Sequence, residues 1–176
     1  DQAAVKALVE YWKTAPAGMA TFLSNHDIFA GPRAWDQFNG DEARYKLAAS
    51  TYLLMPGTPF IYYGEEVGQA GLPDLKGALP IRGPMSWDTR PHAGFTSGKP
   101  YRSAAPNYRL YNALAQQTGT RSIHRHYREM LALRNTQPSI ARGAWVHPFA
   151  DGLVLGFQRV LGAERTFCLL YTSPSP

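Results

Sequence analysis

Long apolar runs are missing from this chain. No stretch approaches the roughly 20 residues of a membrane helix, so a membrane partner is not expected. Cysteine is nearly missing too. The single Cys168 rules out an internal disulfide, and its setting, Thr166-Phe167-Cys168-Leu169-Leu170, reads as a small buried apolar residue. A basic stripe is also lacking. Lys and Arg number 18 against 13 Asp and Glu, but the arginines are scattered. The one dense stretch, Arg121 to Arg134, fits the solvated face of a helix, so nucleic acid is not an expected partner. No signal-like segment stands at Asp1, which says nothing about export. What remains is a globular composition, 44% hydrophobic and 18% charged, which excludes a disordered chain.

The apolar pattern changes period along the chain. Val5, Leu8, Val9 and Trp12 recur at helical spacing over residues 2–13, and Pro16 and Gly18 follow as a turn. Met19 to Ser24 reads as a short buried strand. A Gly- and Pro-bearing loop runs to Gly40. Asp41 is placed to cap a helix whose apolar line is Ala43, Leu47, Thr51 and Leu54, stopped by Pro56-Gly57. Thr58 to Tyr63 reads as a second strand. Helix and strand in alternation predict parallel strands buried on both faces. Residues 64–108 form a long irregular excursion of the kind usually kept for function. A short helix is predicted near 108–117 and a clear one over 121–135, with Ile123, Tyr127, Met130, Leu131 and Arg134 on one face. Three strands follow, Trp145 to Phe149, Leu153 to Val160 and Arg165 to Leu170, with Asp151-Gly152 and Leu161-Gly162-Ala163 at hairpin turns.

Chemistry concentrates where the first strand ends, at Asn25-His26-Asp27. An imidazole beside a carboxylate suits the gripping of vicinal hydroxyls and the stabilising of positive charge, which points to sugars. Two further carboxylates, Glu65 and Glu66, follow the second strand. Adjacent parallel strands lie about 4.8 Å apart, so Asp27 and Glu65 could face each other as a catalytic pair. Trp35, Trp87 and Tyr63 could stack on sugar faces, although core packing suits each better. His124 and His126 are two apart on a helix and make a poor metal pair.

Four blocks, in this order and spacing, resemble the α-amylase superfamily of retaining glycoside hydrolases. They are Phe22-Leu23-Ser24-Asn25-His26-Asp27; Gly57-Thr58-Pro59-Phe60-Ile61-Tyr62-Tyr63-Gly64-Glu65-Glu66-Val67-Gly68; Arg82-Gly83-Pro84-Met85-Ser86-Trp87; and the helix from Tyr127 to Pro138. The resemblance covers about residues 19–140. It implies an α/β fold: residues 1–138 as the C-terminal portion of a (β/α)8 TIM barrel, carrying strands 7 and 8, and residues 139–176 as part of an antiparallel β domain.

The resemblance also implies roles. Asp27 would be the transition-state stabiliser, holding the 2- and 3-hydroxyls of the ring. His26 would bind the same sugar. Arg33, six residues beyond Asp27, is a further candidate for sugar contact or else a surface ion pair. Retaining enzymes need a nucleophile and an acid about 5–5.5 Å apart. The resemblance puts both upstream of these residues and makes Glu65 and Glu66 architectural. The chain is therefore expected to be the C-terminal part of a longer enzyme, inactive alone. The tail Tyr171-Thr172-Ser173-Pro174-Ser175-Pro176 is expected to be a truncated end of the β domain. The implied substrate is an α-glucan or maltooligosaccharide, cleaved at α-1,4 bonds with retention. The alternatives are an α-glucosidase or α-glucosyltransferase of the same superfamily, or a non-catalytic carbohydrate-binding or structural relative. No metal site or cofactor is expected in this chain, while calcium is possible in a full-length enzyme.

Overall fold

A computed structural model describes residues 1–16 and 18–171; the irregular end expected from the sequence falls mostly on 172–176, outside the described residues. The helices are α1 (Gln2–Thr14), α2 (Ala34–Gln37), α3 (Glu42–Leu54), α4 (Ala113–Thr118), α5 (Ile123–Thr136) and α6 (Pro138–Arg142). The strands are β1 (Ala20–Thr21), β2 (Thr58–Pro59), β3 (Ala144–Asp151), β4 (Val154–Leu161) and β5 (Glu164–Leu170). The chain folds as two compact units. One comprises residues 1–21, 47–59 and 129 onward; the other comprises 22–46 and 60–128.

In the first unit β1 and β2 pair in parallel, Ala20 with Thr58 and Thr21 with Pro59. This is the expected parallel pair, but the ladder is much shorter than the apolar runs 19–24 and 58–63 predicted. Each strand has one neighbour here, and Pro59 cannot donate to a ladder. Gly57 makes the approach possible. It sits at φ +91°, and a Cβ there would strike the Met19 carbonyl, which accepts the Thr58 N–H at 2.9 Å. Asp1 caps α1 by accepting the Ala4 N–H at 2.8 Å. Val9 and Trp12 of α1 pack with Met55, Leu155, Phe157 and the buried Cys168 into one core. Burying a side chain such as Phe157 contributes about 1.5–3 kcal/mol.

Strands β3, β4 and β5 form an antiparallel sheet in that order, with turns at Gly152 (φ +57°) and Gly162 (φ +58°). A bulge between Val146 and Phe149 carries His147 at φ +51°. Helix α6 was not foreseen. Pro138 stops α5 but also starts α6, where its missing N–H costs nothing.

The buried face of α3 differs from expectation, while that of α5, with Ile123, Tyr127 and Arg134 buried, follows it. In α3 the buried line is Tyr45, Ala49, Tyr52 and Leu53, not Ala43, Leu47 and Thr51. Tyr45 lies outside the expected apolar line, and its hydroxyl finds a buried acceptor in the Glu65 carbonyl at 2.7 Å. In α5, Arg134 is buried because its guanidinium donates to the carbonyls of Leu53, Met55 and Gly57 at 2.6–2.9 Å. It thereby closes the open end of α3, whose last carbonyls have no helical partner.

Candidate active site

All three candidate residues lie in the second unit, on the segment that follows β1 in the chain. Asn25 shapes it: its Oδ1 accepts the Asp27 N–H at 2.7 Å, an Asx turn. A single 3-10 turn, Ile28–Ala30, follows. Gln37 of α2 then ties the segment together, donating through Nε2 to the carbonyls of Leu23 (2.9 Å) and Pro32 (2.8 Å). The effect is to present His26 and Asp27 outward, with side chains 68% and 48% exposed.

The Asp27 carboxylate has a partner on each oxygen. Oδ1 lies 3.3 Å from Arg82 Nη2, and Oδ2 lies 3.4 Å from His26 Nε2. Arg82 also donates through Nε to the His26 carbonyl at 2.8 Å, gripping the backbone and the carboxylate of the same dipeptide. Its own carbonyl accepts from Arg102 Nη1 at 2.8 Å. The sequence pattern assigns Arg82 no role of its own, although it opens the block Arg82-Gly83-Pro84. An arginine facing a long functional loop was the available signal. Both contacts to Asp27 are long and half-exposed, so each is worth at most about 1 kcal/mol and can be traded for ligand hydroxyls.

Glu65 is the opposite kind of carboxylate. It is 2% exposed. Oε1 accepts from the Tyr127 hydroxyl at 2.6 Å, and Oε2 from the Ser24 hydroxyl at 3.2 Å. It therefore joins the segment before Asp27 to α5. Its geometry is that of an anchor, which supports the architectural reading over a catalytic pair with Asp27. Glu66 borders a cavity of about 660 Å³ with Arg82, Trp87, Tyr101 and His124 among its walls. Burial pushes the Glu66 carboxyl up, against the opposing pull of backbone N–H groups and of His124 and Arg33, and Oε2 has no hydrogen-bond partner.

Arg33 is not in a surface ion pair. It is 2% exposed, because its guanidinium lies over the rings of Tyr62 and Tyr63, 5.0 and 4.7 Å from their centroids. Nη1 donates to the Tyr63 carbonyl at 2.7 Å, while Nε and Nη2 have no partner. Trp35 packs on Tyr111, with centroids 4.0 Å apart. Tyr63 donates its hydroxyl to the Gly83 carbonyl at 2.6 Å, and Trp87 stays half-exposed on the cavity wall. His126 is held by the Lys46 carbonyl at 2.9 Å. Among the described residues, no three His, Cys, Asp or Glu side chains gather as a metal site, and no helix is long and apolar enough to cross a membrane.

Parallel strands joined through a helix, then an antiparallel sheet, define a class: the C-terminal portion of a (β/α)8 barrel with the start of a β region after it. Comparison with known proteins makes this specific. The family described as Alpha amylase, catalytic domain, matches residues 1–143. A probable α-glucosidase of Rhizobium meliloti (strain 1021) is 34% identical over 98% of this chain and 34% of its own length. An oligo-1,6-glucosidase of Parageobacillus thermoglucosidasius is 28% identical over 82% of this chain and 32% of its own length. Among solved structures, isomaltulose synthase of Klebsiella sp. LX3 matches with a TM-score of 0.79 at 26% identity, covering 97% of this chain and 37% of that one. A mutant isomaltulose synthase of Erwinia rhapontici NX5 in complex with D-glucose matches with a TM-score of 0.78 at 26% identity, over 94% and 37%. The chain belongs to the α-amylase family of glycoside hydrolases, and spans about a third of the length of the curated relatives it matches.

Proposed function

We propose that the enzyme carrying this chain cleaves α-glucosidic bonds with retention, and that Asp27 is its transition-state stabiliser. The observation behind this is the exposed His26-Asp27 pair, held from behind by Asn25 and Arg82 and loosely enough bonded to exchange its partners for hydroxyls. A carboxylate gripping two ring hydroxyls holds the sugar in a near-attack pose and stabilises the positive charge that grows on the ring. His26 donates to the same sugar. Arg82 is a positioning residue, since it orients Asp27 and offers a cation to a neighbouring hydroxyl. Arg33, buried beneath the Tyr62 and Tyr63 rings, acts on the site by supporting that wall.

The nucleophile and the proton donor are proposed to stand upstream of these residues, and the change from helices to antiparallel strands near residue 138 to mark the domain boundary. Calcium, in a full-length enzyme, would be held outside this chain. The substrate is an α-glucoside. Relatives named α-glucosidase and oligo-1,6-glucosidase favour short α-1,4- or α-1,6-linked oligosaccharides over the starch chains that the motifs first suggested.

The experiment is to express the whole reading frame and follow maltose, isomaltose and soluble starch by proton NMR. Release of α-glucose from a disaccharide is expected. The reducing-end unit is freed as the anomeric mixture it already was, so initial formation of β-glucose from the non-reducing unit, above that mixture, would contradict retention, and turnover of starch alone would contradict the short-substrate reading.

A further inference from the structure

The first unit holds a second recess, of about 560 Å³, bordered by Trp12, Pro56, Arg142, Trp145 and Arg159 among others. Trp145 and Arg159 stand directly opposite each other on β3 and β4, so their side chains share one face of the sheet. Arg159 is 2% exposed, yet among the described residues its Nε and Nη1 have no hydrogen-bond partner, and neither has the indole Nε1 of Trp145. Three donors on one face are thus unsatisfied.

The contrast with Arg134 is instructive. That buried guanidinium is occupied by three carbonyls. Arg159 has no such set, and Arg134 repels it. Burial and that repulsion push Arg159 down to about 10, still charged at neutral pH. Among the described residues, no carboxylate borders the recess. Glu164, which acts on Arg142, is engaged by the Ser139 N–H at 2.8 Å. A buried charge left unpaired is strongly unfavourable, and a guanidinium fork matches an oxyanion in two parallel hydrogen bonds.

We infer that this recess is an oxyanion-binding site in which the Arg159 guanidinium and the Trp145 indole N–H hold a phosphate or a carboxylate. Arg142 lies at its border and adds a second positive charge. The unsatisfied nitrogens are covered, so the guanidinium turns toward the recess it borders as the anion enters. The shared chemistry is a compact anion with two or more oxygens; chloride, a single spherical acceptor, offers no second atom to meet two parallel N–H bonds and matches the fork less well.

The test uses the enzyme expressed from the whole reading frame, titrated separately with inorganic phosphate and with acetate, against chloride at matched ionic strength. Melting temperature and tryptophan fluorescence are read. A saturable rise of several degrees with one oxyanion, absent with chloride, is expected, and the more effective anion names the source. Arg159→Met should abolish the rise, while Arg165→Met, on the exposed part of β5, should leave it intact. Should Arg159→Met fail to fold, Trp145→Phe removes one donor and keeps the charge; it should weaken binding about tenfold. An equal response to chloride, no response at all, or an unchanged response in Arg159→Met or Trp145→Phe would overturn the assignment.

Discussion

Asp27 and Glu65 are carboxylates that follow consecutive parallel strands in the chain, and the fold treats them in opposite ways. Glu65 is buried, with both oxygens taken by hydroxyls of Ser24 and Tyr127. Asp27 is half-exposed, with contacts of 3.3 and 3.4 Å to Arg82 and His26. A carboxylate with short, sheltered hydrogen bonds stabilises the fold. One with long, wet contacts can give them up to a substrate. Residue type alone does not separate the two roles; hydrogen-bond partners and burial do.

Loss of the exposed carboxylate should matter most. Asp27→Asn in the full-length enzyme is expected to lower kcat by about 10²–10³-fold, the scale for losing one preorganised electrostatic contact. Its melting temperature should stay within about 2 °C of wild type, because half-exposed ion pairs contribute at most about 1 kcal/mol. Glu65→Gln should do the reverse. It forces an amide N–H₂ toward a hydroxyl donor and should cost about 1–3 kcal/mol by urea unfolding, with kcat largely kept. A large loss of kcat at unchanged stability would return Glu65 to the catalytic pair.

Arg82→Met is a smaller perturbation. It frees Asp27 and the His26 carbonyl and should raise KM by about tenfold, one hydrogen bond to a charged group, at nearly unchanged stability. The smallest effect concerns Glu66. Its folded-state carboxyl is raised from 4.5 by burial, so the folded protein holds that proton more tightly than the unfolded chain. This stabilisation is complete below the unfolded value of 4.5 and is lost as pH rises through the raised folded value. Glu66→Gln should flatten this part of the pH–melting profile; a profile identical to wild type would remove Glu66 from the account.

Much of this organisation could be read from periodicity. Val5, Leu8, Val9 and Trp12 marked α1, Asp41 capped α3 through the Ala43 and Arg44 N–H groups, and Gly152 and Gly162 marked both hairpins. The His26-Asp27 pair was visible as polar residues ending an apolar run. What escaped was set by contacts between residues distant in sequence. Arg82 lies 55 residues from Asp27, and no local pattern links them. The carbonyls that hold Arg134 lie 77–81 residues away and the acceptor for the Tyr45 hydroxyl lies 20 away, so no local pattern announced either contact. Arg33 was read as a sugar contact or a surface ion pair because the stacking of its guanidinium on Tyr62 and Tyr63 depends on a loop 30 residues away. The length of β1 and β2 was also illegible, since a ladder depends on which strands lie on either side.

On the proposed function, Asp27 grips ring hydroxyls in the transition state. The most direct measurement compares kcat/KM for an aryl α-glucoside and its 2-deoxy analogue, in wild type and in Asp27→Asn. If Asp27 holds the 2-hydroxyl, deleting that hydroxyl should cost wild type far more than the variant, leaving a coupling of at least tenfold between the two changes. Equal ratios in both enzymes would show that Asp27 and the 2-hydroxyl act independently, and would contradict the role assigned to Asp27.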